Sequence, residues 1–240
     1  MKSAWVLATR ELGSMFRTPV GWLVMALFTF LTGLVFVTNT LSPGAPSTLR
    51  YFFSTSAFLL VPIAPAVSMR LFSEEYRSGS YEVLGTAPLG AWTLALGKLG
   101  GSLLFLALML APTLVFPGIL FACSDPLPDP GPMLTGYLGL LLIGAVYVSI
   151  GAFASALTAS QTLAFLATVM FLVLFSLASG TLSTRVGEPF NLVLLSLSID
   201  QRMRDFAAGV LDTAHLIYLL GLVGVFSTLT TAALAMRRWR

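Results

Sequence analysis

The chain has 240 residues, of which 57% are hydrophobic and only 10% charged, against about 25% charged residues in an ordinary soluble domain. A soluble fold of this length would lack the polar surface it needs, so a water-soluble enzyme or binding domain is excluded as the body of the chain. The net charge of +3 rests on too few charges to mark a nucleic-acid interface, and one cysteine, Cys123, excludes an intrachain disulfide or a thiolate metal cluster.

The apolar residues fall in blocks of about 20, the length a helix needs to cross a hydrocarbon layer about 30 Å thick. Backbone groups in lipid must be satisfied within the segment, which favours helices, and the short alternating segments of a β-barrel are not seen. The expectation is an all-α membrane protein of six transmembrane helices. In the first segment Trp5, Ala8, Leu12, Met15 and Phe16 recur at helical spacing among Arg10, Glu11 and Arg17, which predicts an interfacial helix over residues 1–18. No cleaved leader is expected, because the first apolar block is long enough to span and no small-residue cleavage site follows it.

The first span is read over residues 20–37, followed by a polar turn with Pro43, Gly44 and Pro46. The second covers 51–69 and contains Pro62 and Pro65; a charged stretch, 70–92, leads to a third span over 94–121, broken near Pro112 and Pro117. An acidic, proline-rich loop with Asp125 and Asp129 precedes the fourth span, 134–157, and a link of a few residues precedes the fifth, 162–178. Residues 179–213 form a connection that is neither fully apolar nor fully polar, and the last span, 214–235, ends in a basic tail. With no internal repeat or linker, residues 1–240 read as one transmembrane domain.

Six spans place both termini on one side. That side collects Lys2, Arg10, Arg17, Arg70, Arg77, Lys98, Arg237, Arg238 and Arg240, and the other has Arg50, Arg185, Arg202 and Arg204. The basic excess marks the first side as cytoplasmic, and Trp5, Trp22, Trp92 and Trp239 fall near its boundary, as an aromatic belt does. An integral, multi-pass protein of the cytoplasmic (inner) membrane of a prokaryote, in contact with lipid, is the expected localisation.

Two segments carry candidate function. In the stretch 70–92, Glu74, Glu75, Arg77 and Glu82 crowd beside the apolar Leu71, Phe72, Tyr81, Val83 and Leu84, with Gly79 as a hinge or cap. This reads either as a docking element for a soluble partner or as a solvated loop. In the connection 179–213, the apolar run 190–199 is too short to span, and Met203, Phe206, Ala207, Val210 and Leu211 form a helical stripe. Paired short helices dipping into the outer leaflet are expected, as a gate or as a packing cap. Asp212 precedes the last span and suits its N-cap. Gly136, Gly139, Gly144, Gly151 and Ser155 in the fourth span, and Gly221 and Gly224 in the sixth, permit close helix contact. No charge lies deep in a span, and His215 is alone, so an ion relay, a metal site and an intramembrane catalytic centre are not expected.

The pattern Phe72-x-Glu74-Glu75-x-Arg77-x-Gly79-Ser80-x-Glu82-x-Leu84-x-Thr86-x-Pro88, followed by Leu96-Gly97-Lys98, resembles the signature of ABC-2-type transporter permeases. It is most similar to the branch with the gliding-motility permease and the permease for nitrous-oxide-reductase maturation. A second run, Asp205-Phe206-Ala207-Ala208-Gly209-Val210-Leu211-Asp212, resembles one that this branch carries before its last span. Ser80 stands where threonine is more usual and keeps the hydroxyl.

The resemblance covers nearly the whole chain and implies a permease subunit without its own ATPase. The absence of a G-x-x-x-x-G-K-[ST] phosphate loop agrees with this. ATP and Mg are then held by a partner ATPase dimer and no cofactor by this chain, which pairs with a second copy or a related permease. Leu71, Phe72, Glu74, Glu75, Arg77, Gly79, Glu82, Leu84 and Pro88 would form the coupling loop, and Phe206, Gly209 and Asp212 are candidates for an extracytoplasmic gate. The expected function is ATP-driven transport, most readily export. The alternative is a mechanotransmitting or envelope-assembly subunit that relays ATPase motion to an extracytoplasmic partner without moving a solute.

Overall fold

The computed structural model describes residues 2–42, 46–79, 90–125, 127–182 and 190–238. Every regular element among them is helical, and six helical runs are long and apolar enough to cross a membrane. Helix α1 (Lys2–Arg17) precedes α2 (Pro19–Asn39), the first span. Pro19 opens α2 in the first turn, where a missing N–H is no loss. Helix α3 (Arg50–Ser68) is followed, with only Met69 between, by the short α4 (Arg70–Ser78).

The third span is built from α5 (Ala91–Leu110), a 3-10 turn (Ala111–Leu114) and α6 (Val115–Cys123). The break has a chemical cause. Pro117 has no N–H for the carbonyl of Thr113, four residues earlier, and the Tyr137 hydroxyl donates to that carbonyl at 2.8 Å instead. Helices α7 (Pro130–Leu157) and α8 (Gln161–Leu177) are the fourth and fifth spans, and a π-helical turn (Ala178–Leu182) extends the latter. Short helices α9 (Phe190–Leu197) and α10 (Ile199–Ala207) then lead to α11 (Thr213–Arg238), the sixth span.

Helix α7 is the hub, packed against α3, α5, α8, α10 and α11. Its glycines make this possible. A Cβ on Gly136 would stand 2.3 Å from the Phe53 ring, one on Gly144 2.7 Å from Leu106, and one on Gly151 1.9 Å from Ser68 Oγ. Gly221 and Gly224 behave differently from the expectation, because neither has any atom within 4 Å of the place a Cβ would take. They lie on an outward face of α11, where the chain itself provides no neighbouring helix.

Helix α1 is docked as well as amphipathic. Gly97 and Gly101 of α5 let it approach so closely that a Cβ at either would come within 2.7 Å of Leu7 or of Ala8 and Glu11. The chain then reverses tightly into α2, with Trp22 Nε1 donating to the Phe16 carbonyl at 3.0 Å. The two ends of the bundle thus acquire different characters. The end with both termini gathers α1, α4 and the tips of α5, α7 and α11, whereas α10 covers the opposite end of α7.

Candidate functional site

At the terminal end, the α3–α4 junction is fastened to α7 by one hydroxyl. Ser155 Oγ accepts from the backbone N–H groups of Phe72 and Ser73, both at 3.0 Å, and donates to the Met69 carbonyl at 2.8 Å. The first N–H groups of a helix have no partner inside it, and here a neighbouring span supplies the acceptor. Ser155 counted from the sequence as a small packing residue. It is also a bridge.

Lys98 is the centre of the same region. It is the eighth residue of α5 and is only 5% exposed. Its ammonium group has three donors, and three acceptors meet them: Glu75 Oε1 at 2.8 Å, Glu11 Oε2 at 3.2 Å and the Leu71 carbonyl at 2.6 Å. The Phe72 ring lies beside it, 5.5 Å from Nζ to the centroid. One cation therefore joins the interfacial helix α1, the short helix α4 and the third span. A charge removed this far from water needs such full pairing, since an unpaired buried ion is strongly unfavourable.

Around this node lies a crevice of about 270 Å³ lined by Arg10, Glu11, Arg70, Glu74, Glu75 and Lys98. Three basic and three acidic side chains share that lining. Arg70 also reaches back to the α1–α2 turn, donating to Thr18 Oγ1 at 3.4 Å. At the far side of α4, Arg237 of α11 stacks over the Tyr76 ring at 4.1 Å and donates to the Leu157 carbonyl at 2.7 Å. Helix α4 is thus held by α1, α5, α7 and α11.

The candidate coupling residues divide into two groups. Leu71 and Phe72 do not offer the apolar docking surface expected of them, because both are fully buried in the bundle. Amphipathic spacing puts them on the inner face of α4, with the node. Glu75 is partly buried and committed to Lys98, whereas Glu74, Arg77 and Gly79 are exposed. Gly79 ends the helix at φ 70°, a left-handed conformation that favours glycine. Glu82, Leu84 and Pro88 lie outside the described residues.

At the opposite end, Phe206, Gly209 and Asp212 come together around the end of α10. Phe206 is fully buried, its Cβ 2.9 Å from where a Cβ of Gly139 would stand. Thr135 Oγ1 donates to the Phe206 carbonyl at 2.6 Å. Gly209 has φ 91°, and two backbone bonds close the helix there: Gly209 N–H to Phe206 O at 3.1 Å and Val210 N–H to Asp205 O at 2.9 Å. Asp212 Oδ1 accepts from Ala214 N–H at 2.8 Å, at the start of α11. His215, read as isolated, stands 3.7 Å from Asp205 Oδ2. Arg202 lies over the Tyr218 ring at 3.7 Å, and the Tyr218 hydroxyl donates to the Leu197 carbonyl at 2.9 Å.

Sequence reasoning missed the node of Glu11, Lys98 and Glu75, and the bridging roles of Ser155 and Arg237. A signal for the node was present. Lys98 is a lone cation in an apolar block, flanked by Gly97 and Gly101, and a charge in a span calls for a partner on a closely packed helix. Among the described residues no cluster of histidine, cysteine and carboxylate side chains has the arrangement of a metal site.

In comparison with known proteins, residues 5–232 match the family model described as ABC-2 family transporter protein. No curated protein matches the chain with significant similarity.

Proposed function

We propose, on the premise that this chain belongs to the ABC-2 transporter family, that its α3–α4 unit carries the motion of a separate ABC ATPase into the membrane bundle. The chain is a multi-pass membrane permease subunit of the kind that works with such an ATPase. The observation that carries the proposal is the Lys98 node. It ties α1, α4 and α5 into one body while Glu74, Arg77 and Gly79 stand exposed along α4 and at its C-terminal tip. A push on that tip would be delivered to α3 through the chain, to α5 through Lys98 and to α7 through Ser155.

In this reading Glu74 and Arg77 set the register of the docked ATPase, and Glu75 transmits rather than docks. A crevice lined by charges of both signs suits a protein partner, because it rewards one alignment and penalises others. The working unit is a dimer with a second copy or related permease, and the direction is outward, as the resembled branch suggests. The α9–α10 element would close the outer end.

The test is co-expression with the cognate ATPase. Glu74→Lys combined with Arg77→Glu should leave the permease folded and lower complex yield and stimulated ATP turnover at least tenfold, about 1.4 kcal/mol or more of lost docking energy. Unchanged assembly and turnover would remove the coupling role from α4. Orientation in the cytoplasmic membrane, with both termini inside, has its own test. Cys123 is exposed at the end of α6 and should react with an impermeant maleimide added to intact cells. Glu74→Cys in a Cys123→Ser background should react only after lysis.

A further inference from the structure

We propose that the crevice between the last turns of α7 and α11 binds an anionic phospholipid of the surrounding bilayer, with an acyl chain between the helices and the phosphate at Arg237. The crevice measures about 780 Å³, within the about 300–1,000 Å³ of small-ligand sites. It exists because Ala156, Ala232 and Ala233 are too small to fill the space where the two helices run side by side, whereas Phe153 meets Phe226 deeper in the bundle at 6.1 Å between ring centroids. Leu157 and Met236 form an apolar, exposed rim.

The occupant follows from position and charge. Both helices are spans, so the crevice opens toward acyl chains, and an unfilled apolar hollow would forfeit dispersion contacts along its whole lining. It ends at an exposed guanidinium where a headgroup would lie. Arg237 gives one N–H to the Leu157 carbonyl and lays its face on Tyr76, which leaves most of its donor fork for a phosphate. A neutral tail alone would not need this residue, and a second copy of the chain would have to bring an acid to it. Because Tyr76 belongs to α4, the headgroup would sit one side chain from the proposed coupling tip; the binding does not depend on that role.

The experiment uses the full chain, delipidated in detergent and titrated with phosphatidylglycerol or phosphatidylcholine of identical acyl chains, with bound lipids counted by native mass spectrometry. Wild type should retain one phosphatidylglycerol in preference to phosphatidylcholine. Arg237→Gln should lower phosphatidylglycerol affinity about fivefold, the equivalent of about 1 kcal/mol for one basic residue at an anionic surface. Arg237→Lys should keep the preference. Ala232→Phe should exclude both lipids with helicity unchanged. If that variant does not fold, Ala232→Cys in a Cys123→Ser background replaces it, and bound phosphatidylglycerol should protect the thiol from maleimide. Equal binding of the two lipids by wild type and Arg237→Gln overturns the proposal, as does lipid retention by Ala232→Phe or an unprotected thiol in the Ala232→Cys variant. A change of oligomeric state with the lipid count intact overturns it too, and assigns the crevice to a contact between copies.

Discussion

The two ends of the bundle are fastened mainly by different means. At the terminal end a buried ammonium meets two carboxylates and a carbonyl, and each acceptor comes from a different part of α1 or α4. At the opposite end, beside the looser His215–Asp205 contact at 3.7 Å, the ties between elements run mainly from hydroxyls to main-chain carbonyls: Thr135 to Phe206, Tyr218 to Leu197 and Tyr137 to Thr113. Close packing of aromatic rings against glycine completes that end. A three-acceptor ionic node tolerates few alternative geometries, so the helices it joins move together. Hydroxyl-to-carbonyl bonds satisfy the chain where helices break or end, without dictating which elements travel as one. The first arrangement suits transmission. The second suits closure.

The sharpest way to break this comparison is Lys98→Met. It strands the partly buried Glu11 and Glu75 beside each other without their cation, and should destabilise the protein by up to about 3–5 kcal/mol in an SDS-titration unfolding assay in mixed micelles. The triple variant Lys98→Met, Glu11→Gln, Glu75→Gln removes the stranded charges and should recover much of the loss. No recovery would assign the effect to the packing of the lysine stem, and the terminal end would then resemble the other. Next in size is Phe206→Ala, expected to cost about 3 kcal/mol through the cavity it leaves on Gly139. Gly139→Ala should be unfavourable in both backgrounds and only milder in Phe206→Ala, because the ring contacts at 2.9 and 3.0 Å are gone while the Cβ of residue 206 stays 2.9 Å away.

Ser155→Ala comes third. It removes the acceptor for two N–H groups and the donor to Met69, for about 2 kcal/mol, and the alanine leaves little room for water to replace the hydroxyl. Hydrogen exchange should accelerate at Phe72 and Ser73 while Gly209 at the opposite end keeps its rate. Acceleration at both ends would mean that α7 transmits the disturbance along its whole length.

The contrast between the ends also explains what was readable beforehand. The spans were legible because lipid thickness imposes a block length: α2, α3, α7, α8 and α11 begin and end within a few residues of the apolar blocks. The broken third span was legible from Pro112 and Pro117, and the end of α4 from Gly79. Local chemistry carries those features. Lys98 in its apolar block signalled that a charge needed a partner but not which partner, because Glu11 and Lys98 are 87 positions apart and no periodicity records which helices meet across such a distance. Leu71 and Phe72 show the same limit. Their spacing reveals an apolar face on α4 but not whether that face meets a partner or the chain's own core. Contacts between helices decide it, and here the core takes them.

The smallest effect is expected from Thr135→Val, which nearly preserves shape and exchanges the hydroxyl for a methyl. The Phe206 carbonyl would lose its 2.6 Å donor, but Gly209 N–H still reaches it at 3.1 Å, so no acceptor is orphaned. The loss should stay near the net worth of one hydrogen bond, about 1 kcal/mol or less. Gly209 keeps its left-handed cap, because the bond from Val210 to Asp205 is untouched. Unfolding in mixed micelles should therefore shift slightly, with no change in the accessibility of Cys123. A loss as large as that of Ser155→Ala would reverse the comparison, since it would make Thr135 a second node rather than one of several interchangeable ties. The hydroxyl would then join α7 to α10 as firmly as Ser155 joins α7 to α4, and the opposite end too would have to move as a single body.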